Sequence, residues 1–562
     1  MVGGYNWCMG QSKKGGFIMQ AGILAAAGIL VRIIGILYRS PLVAIIGDEG
    51  NGYYSTAYTI YTIILLISTN GIPSAVSKIV AGLMAKKQYR NAHKILMGAF
   101  CYVFVAGGLA SAFCFFFADS IVGESSAMVL KVFTPTIFFS GLLGVFRGYF
   151  QAHGSMLQTS FSQIMEQIVN ALVSIGAAVL FMSFVKSADT STQAIYGAMG
   201  SAVGTGAGVL TALLFMAAVY RVNSKMFRRR RKKDRTKEEL SYGQVFKMIF
   251  TMVTPVILST CIYNMSSATN LEIYCSIVEK LKGYTEAQAT TFYGLYSGKA
   301  NPITNIPIAF ATAMSSAIIP TISGSFEKGD KAGTKKKVGD AIKTTMLISI
   351  PAAVGMAVLA KPVVFVLYPQ QETLDMVAKL LQVLAISVVF YGLSTLTNGV
   401  LQGTGYVNKP MIHAAIALGI QTVVLVLLLV FTPLDIYALA LAAVCYSFSM
   451  CLMNGVSIRK KLGYKQEFVR TFFIPAVAAL GMGAAAFLVY QGMNLLLITM
   501  GLLEKGTMHW GLNCVCLIPA VVIAVILYFA LVIKFGAINR EEMRAMPKGT
   551  VLVKVAEKFH LL

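Results

Sequence analysis

The sequence predicts an all-α integral membrane protein with fourteen transmembrane helices. These are expected to form two six-helix lobes, related by a parallel pseudo-two-fold axis, plus two extra C-terminal helices. Three observations predict this class: long apolar segments recur from end to end, basic residues concentrate in alternate connections, and short motifs repeat between the two halves.

The apolar segments are long enough to cross a bilayer. Of the 562 residues, 56% are apolar and only 12% are charged, which is about half the charged share of a typical soluble protein. A helix needs about 20 apolar residues to span the hydrocarbon region. Fourteen segments meet this requirement: 17–46, 57–83, 95–117, 129–150, 160–185, 194–220, 246–277, 293–322, 341–368, 374–402, 411–431, 437–458, 468–490 and 512–535.

The basic residues give these spans a direction. If the N-terminus is cytoplasmic, the two tails and the even-numbered connections contain 31 Lys and Arg residues, and the odd-numbered connections contain four. Basic residues accumulate on the cytoplasmic side of membrane proteins. We therefore predict a multi-pass protein of the bacterial cytoplasmic membrane, with both termini in the cytoplasm.

The same division predicts the domains. An N-lobe (spans 1–6) is expected at 17–220, a basic cytoplasmic loop at 221–245, a C-lobe (spans 7–12) at 246–458, accessory spans 13 and 14 at 468–535, and a cytoplasmic tail at 536–562. The loop contains the run RRRRKKDR, from Arg228 to Arg235. Such a run could bind nucleic acid, but beside a membrane span it favours contact with anionic lipids, here at 228–237. We predict no nucleic-acid partner.

Two motifs recur after the loop. GVFRGYFQ at 144–151 follows span 4, and GVLQGTGY at 399–406 follows span 10. IPSAVSK at 72–78 closes span 2, and IPTISGS at 319–325 closes span 8. Spans 1 and 7 both start inside, so the repeat is parallel. Paired bundles of this kind occur in secondary transporters, which hold their substrate between the halves.

The composition argues against an enzyme. Eight of the nine cysteines fall inside apolar spans, the five histidines are scattered, and neither a CxxC pair nor a phosphate-binding GxxxxGK[ST] loop is present. A membrane glycosyltransferase or phosphatase would need acidic metal ligands or a His/Asp cluster. We therefore predict a secondary-type transporter without a metal site or a resident cofactor.

Three basic residues lie well inside their spans: Arg32, Arg39 and Lys299. Each costs roughly 2.5–3.5 kcal/mol at the middle of a membrane helix. The other basic residues of the spans lie nearer the ends, where their side chains can reach the headgroups. They are Lys78, Lys131, Arg147, Lys247, Lys343, Lys361, Lys379, Arg470 and Lys534.

Two explanations of the deep cations remain open. The acids deep in the spans, Glu166 and Glu272, could pair with them, but two carboxylates cannot neutralise three cations. The alternative is a hydrated cavity of positive potential, in which guanidinium groups bind phosphate oxygens in pairs. We favour an anionic, phosphate-bearing cargo.

Three longer segments resemble a known family. They are GNGYYSTAYTIYTIILLISTNGIPSAVSKIVAG at 50–82, FRGYFQAHGSM at 146–156 and FSQIMEQIVN at 161–170. They are similar to the stage V sporulation protein B and YtgP group. This group lies in the MurJ-type branch of the multidrug/oligosaccharidyl-lipid/polysaccharide exporter superfamily, and the resemblance extends over essentially the whole chain.

The resemblance implies a flippase that moves an undecaprenyl-diphosphate-linked cell-wall precursor, lipid II, to the outer leaflet by alternating access. Its cavity cations correspond to Arg32, Arg39 (with a one-residue shift) and Lys299, which would bind the diphosphate. Glu272 and Glu166 are expected to balance charge. Asn70 and Asn305 are expected to contact sugar or peptide.

Several alternatives stay open. The cargo could be another lipid-linked polysaccharide unit, of the capsule or teichoic-acid type. A multidrug/cation antiporter of the same superfamily is less favoured, because it needs buried acids. Coupling to a monovalent cation or to the membrane potential, a monomeric state, and a vegetative or a sporulation role are further expectations that the residues do not define.

Overall fold

A computed structural model describes residues 14–69, 71–234, 239–327, 329–406, 408–504 and 508–538, together with 540, 553 and 557. The described residues form helices and connections, with no β-strand among them. The predicted all-α class is therefore confirmed.

Seventeen α-helices can be assigned in the described ranges. They are α1 Lys14–Ser68, α2 Ile72–Ala85, α3 Tyr89–Phe116, α4 Ala118–Val122, α5 Glu124–Ala152, α6 Met156–Phe184, α7 Thr190–Lys232, α8 Tyr242–Lys282, α9 Glu286–Gly294, α10 Asn301–Glu327, α11 Lys331–Val358, α12 Ala360–Leu367, α13 Leu374–Gly403, α14 Asn408–Phe431, α15 Ile436–Leu462, α16 Ile474–Thr499 and α17 Trp510–Lys534. Two π-helical segments, Leu295–Ala300 and Val469–Phe473, precede α10 and α16.

Twelve helices in the described ranges are long and apolar enough to cross a membrane. One of them, Leu30–Ala85, has 56 residues; as one straight helix it would be roughly 84 Å long at 1.5 Å per residue, against about 30 Å of hydrocarbon. It covers residues 30–46 of the first predicted span and all of the second, and α8 lies where the seventh is predicted. A multi-pass membrane protein is confirmed, whereas the count of fourteen stays a prediction.

Helix α1 is divided at Gly47. This residue has φ 72° and ψ 179°, a backbone conformation that glycine adopts without a steric cost. The break separates two helical segments and lets the chain reverse, so that residues before and after it make contact. Arg39 and Ser55, on opposite sides of the break, are hydrogen-bonded.

The described chain divides into two compact units. Unit 1 comprises Met1–Cys275 and Gly283–Gly294, and unit 2 comprises Ser276–Lys282 and Leu295–Leu562. In unit 1, α5 packs against α2, α3 and α7, and α6 packs along α7. In unit 2, α13 packs against α10, α11 and α15, and α14 packs along α15. These contacts of spans 4, 5 and 6 inside unit 1 match those of spans 10, 11 and 12 inside unit 2.

The two repeated motifs meet inside each unit. A Cβ atom on Gly148, in the span 4 motif, would lie 2.5 Å from the carbonyl oxygen of Pro73, in the span 2 motif. A Cβ on Gly403, in the span 10 motif, would lie 3.0 Å from the carbonyl oxygen of Ile319, in the span 8 motif. Glycine permits such a close approach of two helices. This shared contact supports an internal duplication.

The basic loop predicted at 221–245 begins as a continuation of helix α7. Helix α7 continues to Lys232, and the chain then docks on the start of α3 within unit 1. Asp234 Oδ2 accepts the backbone N–H of Arg90 at 2.6 Å, and Glu239 pairs with Lys94 at 2.8 Å. The Lys94 ammonium, followed by the Arg90 guanidinium, holds the pKa of the Glu239 carboxyl below its usual value. These contacts tie the basic segment to a membrane helix.

His153 lies at the end of α5, beside this segment. Its ring centroid is 4.5 Å from that of Tyr149 and 5.0 Å from that of Phe227, and its Nδ1 is 2.9 Å from the Tyr149 carbonyl oxygen. Burial, with a smaller contribution from Arg230, lowers the pKa of His153 to about 4. The ring is therefore neutral at physiological pH.

Candidate functional site

Arg39 lies eight residues before the break in α1 and is half-buried. Its Nη2 donates to Ser55 Oγ at 3.2 Å, and its guanidinium carbon lies 5.7 Å from the centre of the Tyr54 ring. Among the described residues of unit 1, no carboxylate lies within 4 Å of it. A hydroxyl and an aromatic face attract the cation but leave its charge uncancelled.

Aromatic side chains surround this position. The ring centroids of Tyr54 and Tyr58 are 5.7 Å apart, and those of Tyr61 and Phe133 are 4.8 Å apart. The Tyr54 hydroxyl is 3.4 Å from Thr205 Oγ1. We call Tyr54, Tyr58, Tyr61 and Phe133 the tyrosine cluster. It offers hydroxyl groups and π faces beside a guanidinium group, and it contributes no negative charge.

Arg32 lies two turns before Arg39 and is exposed. Seven residues correspond to about 10 Å along a helix and to nearly the same face. Among the described residues of unit 1, no carboxylate lies within 4 Å of Arg32 either. The acids proposed as partners of the two arginines therefore do not pair with them in this unit.

Glu166 pairs with a different arginine. Arg147 Nη2 lies 2.6 Å from Glu166 Oε2, and its Nε donates to Ser162 Oγ at 2.9 Å. The two charged side chains are only 15% and 28% exposed. Sequence analysis assigned Arg147 to the headgroup region, and this ion pair shows that the interpretation missed its partner. Hairpin geometry could have indicated it, because both residues lie a few positions inside the same end of two consecutive spans.

Lys299 is held by the π-helical segment Leu295–Ala300 and is 1% exposed. Its Nζ donates to Gln370 Oε1 and, at 3.3 Å, to Thr373 Oγ1. It also lies 5.7 Å from the centre of the Tyr368 ring. These groups belong to the connection between α12 and α13, in unit 2. Lys299 therefore has a structural role in holding this connection, in addition to any part in binding.

The remaining predicted residues are spread over the chain. Glu272 is exposed on α8 in unit 1, and Asn305 is exposed on α10 in unit 2. Asn70 lies outside the described residues. Their predicted contacts with charge partners, sugar or peptide stay predictions.

Sequence reasoning missed a buried polar cluster in unit 2. His413 Nδ1 lies 2.7 Å from Asn454 Oδ1, and its Nε2 lies 3.2 Å from Ser457 Oγ. Asn454 Nδ2 also donates to Asn398 Oδ1 at 2.7 Å and to Thr397 Oγ1 at 3.1 Å. Buried polar groups in a membrane need such partners. Each residue alone in an apolar span gave no signal of the others.

Within the described ranges, no group of three or more His, Cys, Asp or Glu side chains is arranged to hold a metal ion. Arg32 and Arg39 of unit 1 form the part of the candidate site in which two cations share one helix.

Comparison with known proteins places the chain in a family. The family model described as "Lipid II flippase MurJ" matches residues 89–505, which is more than half of the chain. The chain belongs to the MurJ lipid II flippase family. Membership supports the resemblance found in the first-half motifs; the segments 146–156 and 161–170 lie inside the matched region, and 50–82 lies before it.

Curated relatives cover nearly the same length. The chain is 25% identical over 541 residues to the membrane protein YabM of Bacillus subtilis (95% of each chain), and 24% identical over 486 residues to "Lipid II flippase MurJ" of the same organism (83% of this chain, 87% of the relative). It is also 23% identical over 539 residues to "Stage V sporulation protein B" of B. subtilis (94% and 98%).

Solved structures share the fold. A structure titled "Lipid II flippase MurJ, inward closed conformation" matches with a TM-score of 0.64 at 14% identity, over 90% of this chain and 97% of the other. An inward-facing multidrug transporter of the MATE family matches with a TM-score of 0.62 at 14% identity, over 79% and 98%. The chain therefore has the fold common to these transporters.

Proposed function

We propose that this chain is a flippase that moves an undecaprenyl-diphosphate-linked cell-wall precursor, with lipid II as the cargo, from the inner to the outer leaflet by alternating access. Membership of a lipid II flippase family supports a lipid-linked precursor as the substrate class. The curated relative named lipid II flippase, which covers 83% of this chain, supports lipid II within that class.

The observation that carries the proposal is the environment of Arg39. A guanidinium group inside a membrane helix, with a hydroxyl and tyrosine rings as neighbours and no carboxylate within 4 Å in its own unit, keeps a positive potential around it. A diphosphate offers oxygen atoms that can accept bidentate hydrogen bonds from such a fork. Cargo binding would thus supply the negative charge that this part of the protein lacks.

Arg32 and Lys299 extend the proposal. Arg32 is exposed two turns from Arg39 and is assigned to the same diphosphate. Lys299, in unit 2, is assigned the same role, and its contact with Gln370 is one that a phosphate oxygen could replace. Glu272 is assigned to charge balance in the absence of cargo, and Asn305 and Asn70 to contacts with sugar or peptide.

The test is complementation of a bacterium depleted of its lipid II flippases, with accumulation of lipid II on the cytoplasmic face as the second readout. Arg39→Gln and Arg32→Gln are expected to abolish rescue while protein levels in the membrane stay normal. Arg39→Lys is expected to retain only part of the activity, because lysine lacks the bidentate fork.

Lys131→Gln is the matched control. Lys131 also lies in a predicted span, but it pairs with Asp119 at 2.7 Å and is 33% exposed. Rescue by Lys131→Gln together with failure of Arg39→Gln supports the assignment. Full rescue by both arginine variants would overturn it.

The same assay separates the rival cargoes. Accumulation of a capsule or teichoic-acid precursor, with lipid II unchanged, would assign the chain to another lipid-linked polysaccharide. Drug resistance conferred by expression, without any precursor effect, would favour a multidrug/cation antiporter. The MATE structures share the fold at 14% identity and do not favour that activity.

The remaining assignments concern the membrane setting. The protein is proposed to act as a monomer in the bacterial cytoplasmic membrane with both termini inside, and with anionic lipids against the basic segment 228–237. Transport is proposed to use a monovalent cation or the membrane potential. Cysteine labelling of the termini in intact cells tests the orientation, and transport into vesicles with a collapsed potential tests the energy source.

A further inference from the structure

A cavity of about 590 Å³ lies in unit 2 between the start of α11 and the segment that links α15 to α16. It is separate from Arg32, Arg39 and Lys299, none of which lines it. Its lining contains five basic and two acidic side chains, a formal excess of three positive charges. The charged residues are Lys335, Lys336, Asp340, Lys343, Lys465, Glu467 and Arg470.

Helix α11 builds one wall of this basic cavity. Lys335 and Lys343 are eight residues apart with Gly339 midway between them, so all three share one face of the helix. Lys343 is only 8% exposed. A Cβ atom at Gly339 would lie 3.3 Å from the Tyr464 hydroxyl, so the glycine leaves space for this ring to cover the helix.

The link after α15 builds the opposite wall. Gly463 ends α15 with φ 61°, and its N–H donates to the Arg459 carbonyl oxygen at 3.0 Å. This left-handed cap turns the chain back toward α11, and the Lys335 ammonium lies 3.3 Å from where a Gly463 Cβ would stand. Arg470 follows, and its Nε lies 3.8 Å from Glu467.

Large apolar side chains border the basic lining. Phe468, Val469 and Phe473 are 66%, 58% and 57% exposed in the next turns of the chain. Phe468 also stacks on Phe472 with ring centroids 5.7 Å apart. A soluble anion would make no apolar contact with these exposed side chains. A lipid would place its acyl chains against them and its phosphate beside the cations.

We propose that this basic cavity binds the phosphate headgroup of an anionic glycerophospholipid. The phosphate is contacted by Lys335, Lys343 and Arg470. The part of the acyl chains nearest the headgroup is contacted by Phe468 and Phe473. Burial, followed by the negative charges of Glu467 and Asp340, raises the pKa of Tyr464 to about 12, so its hydroxyl stays protonated and can donate to a phosphate oxygen. The inference does not depend on the proposed transport function.

The test uses the purified full-length protein in detergent micelles and titrates short-chain phosphatidylglycerol, short-chain phosphatidylcholine and inorganic phosphate. Phosphatidylglycerol is expected to bind with a measurable Kd and the other two at least tenfold more weakly. Equal binding of phosphatidylcholine would overturn the electrostatic basis. Equal binding of inorganic phosphate would overturn the assignment to a lipid.

Variants localise the binding. A basic residue near an anionic surface contributes about 1 kcal/mol, which corresponds to roughly a fivefold change in Kd. Lys335→Gln/Arg470→Gln is expected to weaken phosphatidylglycerol binding about 25-fold, and Glu467→Gln to strengthen it about fivefold. Lys460→Gln, an exposed basic residue of α15 outside the lining, is the control and is expected to change Kd less than twofold.

Folding is checked by thermal unfolding in phosphatidylcholine micelles. Because Glu467→Gln strengthens binding, a general loss of folding cannot imitate the complete pattern. Equal losses in the control and the double variant would indicate diffuse surface charge and would overturn the site.

Discussion

Replacing Arg147 by glutamine leaves Glu166 without its ion-pair partner. The pair joins Nη2 and Oε2 at 2.6 Å, with side chains that are 15% and 28% exposed. Exposed ion pairs contribute about 0–1 kcal/mol, and breaking a fully buried pair costs about 3–5 kcal/mol. This partly buried pair lies between these limits, and a hydrogen bond to a charged group contributes about 1.5–3 kcal/mol. We therefore expect Arg147→Gln to lower the free energy of unfolding by ~2 kcal/mol.

Glu166→Gln is expected to cost a similar amount, because it leaves the guanidinium group of Arg147 without its partner. The double variant removes both charges and is expected to cost ~2 kcal/mol, not the ~4 kcal/mol that independent effects would give. The coupling free energy is then ~2 kcal/mol. The exposed pair of Lys131 and Asp119 provides the control, with an expected coupling below ~1 kcal/mol.

The assay is reversible unfolding in mixed micelles with rising sodium dodecyl sulfate, followed by circular dichroism, alongside rescue of the flippase-depleted strain. The double variant is expected to be less stable by the same ~2 kcal/mol yet active, since the pair supports the fold. Additive single effects would refute the energetic reasoning. A stable but inactive double variant would show that the pair of Arg147 and Glu166 takes part in transport.

Three further changes test other parts of the structure. Gly148→Ala is expected to destabilise the protein by about 1–3 kcal/mol through backbone overlap, whereas Gly176→Ala, with nothing within 4 Å of the added Cβ, is expected to be neutral or stabilising in a melting assay. Because the pKa of His153 in the folded protein is about 4, below the unfolded value of about 6.5, the stability that it contributes is present above pH 6.5 and is lost as the pH falls toward 4. His153→Phe is expected to flatten that part of the pH dependence of Tm, and an unchanged slope would contradict this. Asn454→Ala removes several buried hydrogen bonds and is expected to lower the free energy of unfolding in micelles by about 1–3 kcal/mol. A smaller decrease than for an exposed asparagine replaced by alanine would contradict a stabilising role of this cluster.

The all-α class was predictable because a bilayer forces every span to satisfy its backbone hydrogen bonds internally. The duplication was predictable for a related reason. Gly148 and Gly403 lie where two helices approach backbone to backbone, and a larger residue would not fit there. A glycine at the same place in both motifs therefore indicates the same contact. The hydropathy of a segment and the positions of its glycines can be read directly from a sequence, so both features were open to prediction.

Pairing between side chains was harder to predict. Arg147 lies near a span end and could reach the headgroups, and only the turn between α5 and α6 brings Glu166 to it. His413 and Asn454 lie on the two helices of one hairpin, 41 residues apart in the sequence. The break at Gly47, which returns Ser55 to Arg39, has a similar effect. These contacts depend on how each helix is rotated about its axis. The mean hydropathy of a segment locates the span but does not define this rotation.

The glycine contact present in both units separates the parts of this protein that can vary from those that cannot. One unit contains an arginine pair and a group of tyrosines, and the other contains a histidine with asparagines, whereas the contact of a glycine with a neighbouring backbone is present in both. An engineer who wishes to redirect the transporter to a different cargo should therefore vary the polar side chains of one half at a time and leave Gly148 and Gly403 untouched.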